Sequence, residues 1–137
     1  MADERTLVLV KPDGVRRRLI GEVIRRLEAK GLSIVAMRML TMDTAMAGEH
    51  YAEHKDKPFF SDLVSFITGG SLVAMAVEGD EAVSVGRTLM GATDPKKAAL
   101  GTIRGDLAIE MTENIVHGSD SPASAKRELA LFFPDIG

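Results

Sequence analysis

Apolar positions recur along the chain with two different periods, and the changes of period mark out its elements. Residues 6–10, TLVLV, form an unbroken leucine and β-branched run closed by Lys11-Pro12-Asp13-Gly14, which predicts a buried strand ended by a turn, with Lys11 at the strand end. From Ile20 the spacing becomes helical through Val23, Ile24 and Leu27, and Gly31 stands where a helix C′ glycine belongs. Residues 32–40 return to alternation, with Val35, Met37 and Met39 on one face of a second strand and Arg38 on the other. Residues 44–54 read as helix, and Pro58 opens a second short helix through Phe59, Phe60, Leu63, Val64 and Ile67 that Gly69-Gly70 stops, so the two make a helical hairpin. SLVAMAVEG, residues 71–79, is the third strand; 80–90 is a helix with Asp80 as its N-cap and Gly91 beyond its end. Residues 91–113 show no period and read as a long irregular loop, of a length that tends to serve function. NIVH, from Asn114, makes a short fourth strand, and Ser121-Pro122 is an N-cap and N1 pair that starts a last helix burying Leu129, Phe132 and Phe133.

Two strand-helix-strand halves in this order predict an α+β ferredoxin-like sandwich, βαββαβ, with a four-stranded antiparallel sheet, an inserted helical hairpin and a C-terminal helix. The first and third strands, apolar almost throughout, belong in the centre; the second and fourth become edges. An apolar edge such as 32–40 invites a second chain, so a homo-oligomer is expected. The length, 137 residues, fits one domain, 1–137.

Composition narrows the function classes. A formal charge of −3 supports neither an acidic tail nor a basic nucleic-acid surface, so no specific nucleic acid is expected as partner. Cysteine is absent, which removes disulfides, thiolate metal sites and thiol catalysis. The charged start MADERTLVLV lacks the pattern of a signal peptide and no apolar run approaches ~18 residues, so the expectation is a soluble cytoplasmic protein without a membrane partner.

Only three histidines are present, and His117 sits at the end of an apolar run, directly before Gly118, Ser119 and Asp120. A half-buried, hydrogen-bonded structural histidine is one reading. The other is a nucleophile, since an imidazole with its reference pKa of ~6.5 keeps a free lone pair near pH 7 and can accept a phosphoryl group. Such a ring needs a carboxylate on its other nitrogen, for which Glu128 is the candidate, with Ser119 steadying that carboxylate. The chain has neither G-x-x-x-x-G-K-[ST] nor G-x-G-x-x-G, so phosphates would be gripped by side chains: Lys11, Arg87, Arg104 and the Thr93 hydroxyl. HYAEH, residues 50–54, satisfies the H-x-x-E-H pattern of zinc peptidases, and Arg104-Gly105-Asp106 the pattern of an adhesion ligand; a positioning role for Arg104 is the better reading of the second.

LVKPDG, HYAEH, KPFF, GTIRGD and NIVHGSDS, in this order and across almost the whole chain, resemble nucleoside diphosphate kinases. The resemblance implies transfer of the terminal phosphate of a nucleoside triphosphate to a nucleoside diphosphate by a ping-pong mechanism through phosphohistidine on Nδ1 of His117. It implies that Glu128 and Ser119 orient His117, that Lys11, Tyr51, Arg87, Thr93, Arg104 and Asn114 are the phosphate and ribose ligands, with Lys11 among the catalytic groups, and that the base stacks on Phe59. HYAEH then contributes Tyr51 and no zinc site. Mg²⁺ would arrive with the nucleotide phosphates, with no metal site of the protein's own. The homo-oligomer would be a hexamer, with a tetramer as the alternative. Leu100 replaces the usual proline before GTIRGD, and Leu107 a usual aromatic. A binding module of the same fold that does not turn over nucleotide is the principal alternative.

Overall fold

The computed structural model describes residues 3–136. The elements in chain order are β1 (Glu4–Val10), α1 (Pro12–Arg16), α2 (Ile20–Ala29), β2 (Ser33–Thr41), α3 (Thr44–His50), α4 (Phe60–Ile67), β3 (Ser71–Gly79), α5 (Ala82–Met90), α6 (Ile103–Leu107), β4 (Val116–Gly118) and α7 (Pro122–Phe132), with 3₁₀ turns at Ala52–His54 and Pro95–Lys97. The sheet runs β2-β3-β1-β4 and every neighbouring pair is antiparallel. This is the ferredoxin-like arrangement, with β1 and β3 in the centre.

Alternation along the central strands builds two cores. Val8, Val10, Val73, Met75 and Val77 meet Val23 and Leu27 of α2 and Ala82 and Met90 of α5. On the opposite face Leu7, Leu9, Leu72, Ala74 and Ala76 pack with Ala47 of α3, Ile67 of α4 and Phe132 of α7. The helical hairpin and the last helix therefore cover the sheet face that the βαββαβ unit alone would leave open. At edge strand β2 a bulge between Ile34 and Ala36 changes the predicted register. Ile34, not Val35, shares the face of Met37 and Met39, while Val35, Met37 and Met39 are all exposed.

Several predicted boundaries move for identifiable reasons. Lys11-Pro12-Asp13-Gly14 is not only a turn; Pro12 at N1 starts a short helix. The 44–54 helix stops at Tyr51, because no apolar residue recurs at helical spacing through Glu53, His54, Lys55, Asp56 and Lys57 to give a further turn a buried side. α4 begins at Phe60, past Pro58. Asp80 does not cap α5: Glu81 holds that place in a left-handed conformation, φ 52°, and the carboxylate of Glu4 accepts the Val83 N–H at 2.9 Å. The 91–113 stretch contains the 3₁₀ turn at Pro95–Lys97 and α6, which is capped by the Thr102 hydroxyl on the Gly105 N–H. β4 is Val116–Gly118, without Asn114. The Ser121-Pro122 start of α7 is as predicted, with the Ser121 hydroxyl accepting the Ser124 N–H.

Candidate active site

β4 pairs with β1 so that His117 lies opposite Leu9, and a directly opposed residue shares its partner's face of the sheet. His117 is thereby turned toward the side covered by α3 and α7. Glu128, one turn before the end of α7, meets it there: His117 Nε2 lies 3.1 and 3.2 Å from the two carboxylate oxygens. The fully buried Ser119 hydroxyl donates to Glu128 Oε1 at 2.7 Å and accepts the Leu7 N–H at 3.2 Å, which ties the carboxylate to β1. Burial alone would push the Glu128 carboxyl up. The hydrogen bond and positive charge of His117, then the Ser119 hydroxyl, outweigh burial and hold it down to about 2. An ionised carboxylate only accepts hydrogen bonds, so Nε2 carries a proton, and in the uncharged form of the ring the lone pair lies on Nδ1. Nδ1 has no hydrogen-bond partner among the described residues.

Gly118 adjoins the cationic side of the site. A Cβ there would lie 2.8 Å from Cε and Sδ of Met90 and would push the end of that side chain aside, and Arg87 Nη1 donates to the Gly118 carbonyl at 3.1 Å. Arg104 is buried and has no carboxylate partner among the described residues. It donates to the carbonyls of Gly91 (3.0 Å), Asn114 (3.3 Å) and Val116 (2.7 Å), while burial and then Arg87 hold its guanidinium down to about 10. Arg104 is turned inward onto these carbonyls, which does not suit an adhesion ligand that must present its arginine to solvent. Lys11, at the end of β1, donates to the Asn114 side-chain oxygen at 2.7 Å and the Thr112 carbonyl at 3.0 Å. Burial, opposed by Asp13, brings the ammonium down from 10.5 to about 8. Asn114 donates in turn to the Thr93 carbonyl at 3.1 Å.

Ile115 joins these pieces at a cost. Its φ is 74°, rare for a β-branched residue, and the Val116 N–H closes a three-residue turn onto the Asn114 carbonyl at 2.8 Å. Such a residue costs ~1–3 kcal/mol and persists only where its surroundings fix it. Here the Asp13 carboxylate accepts the Ile115 N–H at 3.0 Å and the Lys11 N–H donates to the Ile115 carbonyl at 2.8 Å. The turn sets Asn114 beside Lys11 and directs the chain into β4 at His117.

One cleft of about 600 Å³ collects the sequence-predicted residues: Lys11, Tyr51, Phe59, Arg87, Thr93, Arg104, Asn114, His117 and Glu128 all line it, and Ser119 lies beneath Glu128. Phe59 is half exposed at the rim. Tyr51 is pushed up to about 12 by burial and the Glu128 charge, so its phenol stays protonated. His50 ends α3 and His54 falls in the following 3₁₀ turn, so the two are not an i, i+4 pair on one helix and the zinc-peptidase pattern is not realised. Sequence reasoning missed His50 itself, whose ring stands edge-on to His117 with centroids 4.8 Å apart, and Asp13. His50 was visible only as part of HYAEH and Asp13 only as part of LVKPDG, and neither motif signalled a place beside His117 or Ile115.

A ferredoxin-like sandwich with a carboxylate-held imidazole at the mouth of a cation-lined cleft defines a protein fitted to phosphate chemistry. The family model described as "Nucleoside diphosphate kinase" matches residues 4–136. The chain is 66% identical over 130 residues to the nucleoside diphosphate kinase of Rubrobacter xylanophilus, covering 95% of this chain and 98% of that one. It is 65% identical over 133 residues to that of Thermobifida fusca, covering 97% and 98%. A halophilic nucleoside diphosphate kinase from Halobacterium salinarum, solved in complex with CDP, superposes with a TM-score of 0.95 at 54% identity, covering 98% of this chain and 90% of that one. The chain belongs to the nucleoside diphosphate kinase family.

Proposed function

We propose that the protein moves the terminal phosphoryl group of a nucleoside triphosphate to a nucleoside diphosphate in two half-reactions through His117. The observation that carries this reading is the hydrogen bonding of His117, with Nε2 committed to ionised Glu128 and the lone pair left on Nδ1. In the first half-reaction that lone pair attacks the γ-phosphorus, the bond from phosphorus to the β,γ-bridging oxygen breaks, and the diphosphate leaves. In the second, a β-phosphate oxygen of the acceptor attacks the same phosphorus and the P–N bond returns its electron pair to Nδ1. Glu128 steadies the positive charge that grows on the ring in each direction, and Ser119 fixes Glu128. Arg87, Arg104, Lys11 and the Thr93 hydroxyl receive the phosphate oxygens, so that charge shifting among them is met by donors already in place.

Lys11 and Asn114, hydrogen-bonded to each other, are suited to bridge the ribose hydroxyl, and Tyr51 adds a donor. Phe59 at the rim offers a face to any base, so broad base tolerance follows. The carboxylates lining the cleft do not form a cage for a hard cation, which fits Mg²⁺ carried in by the nucleotide as part of the substrate. When bound, Mg²⁺ neutralises phosphate charge. Residues 1–137 act as one domain in this reading, in a cytoplasmic homo-oligomer, hexamer or tetramer, whose first contact uses the apolar edge of β2. Among the described residues no helix is long and apolar enough to cross a membrane.

The test is a two-stage transfer. Protein incubated with γ-labelled ATP and Mg²⁺ and then freed of nucleotide should carry label and pass it to each of several added diphosphates. A protein that retains no label is a binding module. His117→Gln should take up none, and 3′-deoxy acceptors should react far more slowly than 2′-deoxy ones.

A further inference from the structure

His50 is the buried polar group that the proposed transfer leaves without a task. It is 4% exposed, and neither ring nitrogen has a hydrogen-bond partner among the described residues. Burial, reinforced by repulsion from His117, drives its imidazolium down to about 3, so at neutral pH it is a desolvated imidazole with a free lone pair. Leaving such a nitrogen unpaired is costly, and buried polar groups without partners are uncommon. The ring lines the same cleft as His117 and Glu128, and one donor atom from each of the three lies within 4.8 Å of the others.

We propose that His50, His117 and Glu128 form a binding site for a divalent transition metal of the zinc class, and that its occupation blocks phosphorylation. Two imidazoles and one carboxylate with an open fourth position are a common zinc ligand set. Tetrahedral zinc with bonds of ~2.0–2.2 Å needs donors ~3.3–3.5 Å apart. His117 Nε2 and the Glu128 oxygens, at 3.1 and 3.2 Å, lie just inside that spacing, so a slight parting of these two and a movement of the His50 side chain would complete the set. Mg²⁺, which prefers oxygen ligands and six-fold geometry, does not compete for two ring nitrogens. The nearby Arg127, 3.9 Å from Glu128, and Lys11 oppose a dication and limit the affinity.

The inhibitory half rests on the reading of His117 as the nucleophile. Metal at Nε2 takes the place of the proton that Glu128 holds there. The neutral ring then carries its proton on Nδ1, transferred through solvent, and no lone pair faces the phosphorus. The same carboxylate thus serves two exclusive states of one imidazole, protonated and active or metallated and silent.

Zinc chloride titrated calorimetrically into the full chain with excess Mg²⁺ should bind at one equivalent. Phosphohistidine formation from Mg²⁺-saturated ATP should fall in proportion to bound zinc and return on chelation. His50→Phe, which keeps an aromatic ring in the same packing, should weaken zinc by more than the ~10-fold typical of losing even an outer-shell partner, whereas His54→Asn should not change it. If His50→Phe does not fold, ¹⁵N signals of the wild-type imidazoles decide: zinc should shift those of His50 and His117. Zinc affinity independent of His50, or shifts confined to His54, overturns the site; undiminished label with zinc bound overturns the inhibition. Failure of the zinc-free protein to take label is a failure of the phosphotransfer reading instead, and the calorimetric result then still decides whether the site exists.

Discussion

Replacing Glu128 by glutamine keeps the shape of the side chain and removes only its charge and one acceptor. In the wild-type site the two carboxylate oxygens accept from His117 Nε2 and one also accepts from Ser119 at 2.7 Å. An amide offers one oxygen and one NH₂. If the oxygen stays with Ser119, the NH₂ faces Nε2, which must then give up its proton, and the ring turns into the tautomer with hydrogen on Nδ1. If the oxygen turns to His117, the buried Ser119 hydroxyl faces a donor. Either way a charge-assisted hydrogen bond worth ~1.5–3 kcal/mol is lost where positive charge develops on the ring. That corresponds to a ~13- to 150-fold slower phosphorylation step. Rapid-quench measurement of label uptake from γ-labelled ATP reads it directly. Ser119→Ala, which loses a neutral donor at one remove from the ring, should cost less, ~0.5–1.5 kcal/mol or ~2- to 13-fold. The imidazole ¹⁵N shifts of His117 should show Nε2–H in the wild type and a gain of Nδ1–H in Glu128→Gln. A Glu128→Gln protein that is phosphorylated within twofold of the wild-type rate, with the wild-type tautomer, would refute the positioning argument.

Other expectations follow from the same geometry. Lys11 is brought down from 10.5 to about 8 by burial, so between those pH values the unfolded chain holds more protons and this residue's contribution to stability rises with pH. An anionic nucleotide restores the ammonium, so binding near pH 8 should take up about half a proton and weaken at higher pH, as calorimetry in buffers of different ionisation heat would show; zero uptake would remove Lys11 from the phosphate site. Phe59→Ala should cost ~1–3 kcal/mol of stacking, a ~5- to 150-fold rise in nucleotide Kd with similar size for each base, and an unchanged Kd would place the base elsewhere. Leu100 is 86% exposed and its N–H has no hydrogen-bond partner among the described residues. Leu100→Pro should therefore stabilise the chain by ~0.4–1 kcal/mol and raise its thermal midpoint by ~2–5 °C, with an equal or lower midpoint showing that leucine suits this loop as well.

The central sheet and most of the cleft were legible because each rested on a local signal. Strands β1 and β3 carry uninterrupted apolar runs, Gly31 and Ser121-Pro122 mark their helix ends, and NIVHGSDS and GTIRGD place His117, Ser119 and Arg104 in a known pattern. What stayed hidden depends on residues far apart in sequence. Glu4 takes over capping of α5 from the expected Asp80, 76 residues away, because the start of β1 runs beside that helix. α6 lies in a stretch without apolar period, held by Thr102 and by Asp106 on the Gly101 N–H and Arg26. Ile115 adopts a conformation its side chain disfavours because Asp13 and Lys11 grip both of its peptide groups. His50 looked like half of a zinc motif, and only the early end of α3 turns it toward His117.

The most direct measurement is the location of the phosphoryl group in protein quenched during turnover. Mass spectrometry under alkaline conditions should place one group on His117, and the modification should be stable to base, lost in acid and discharged by added nucleoside diphosphate. A phosphoryl group on another side chain, or none while nucleotides still interconvert, would contradict the account.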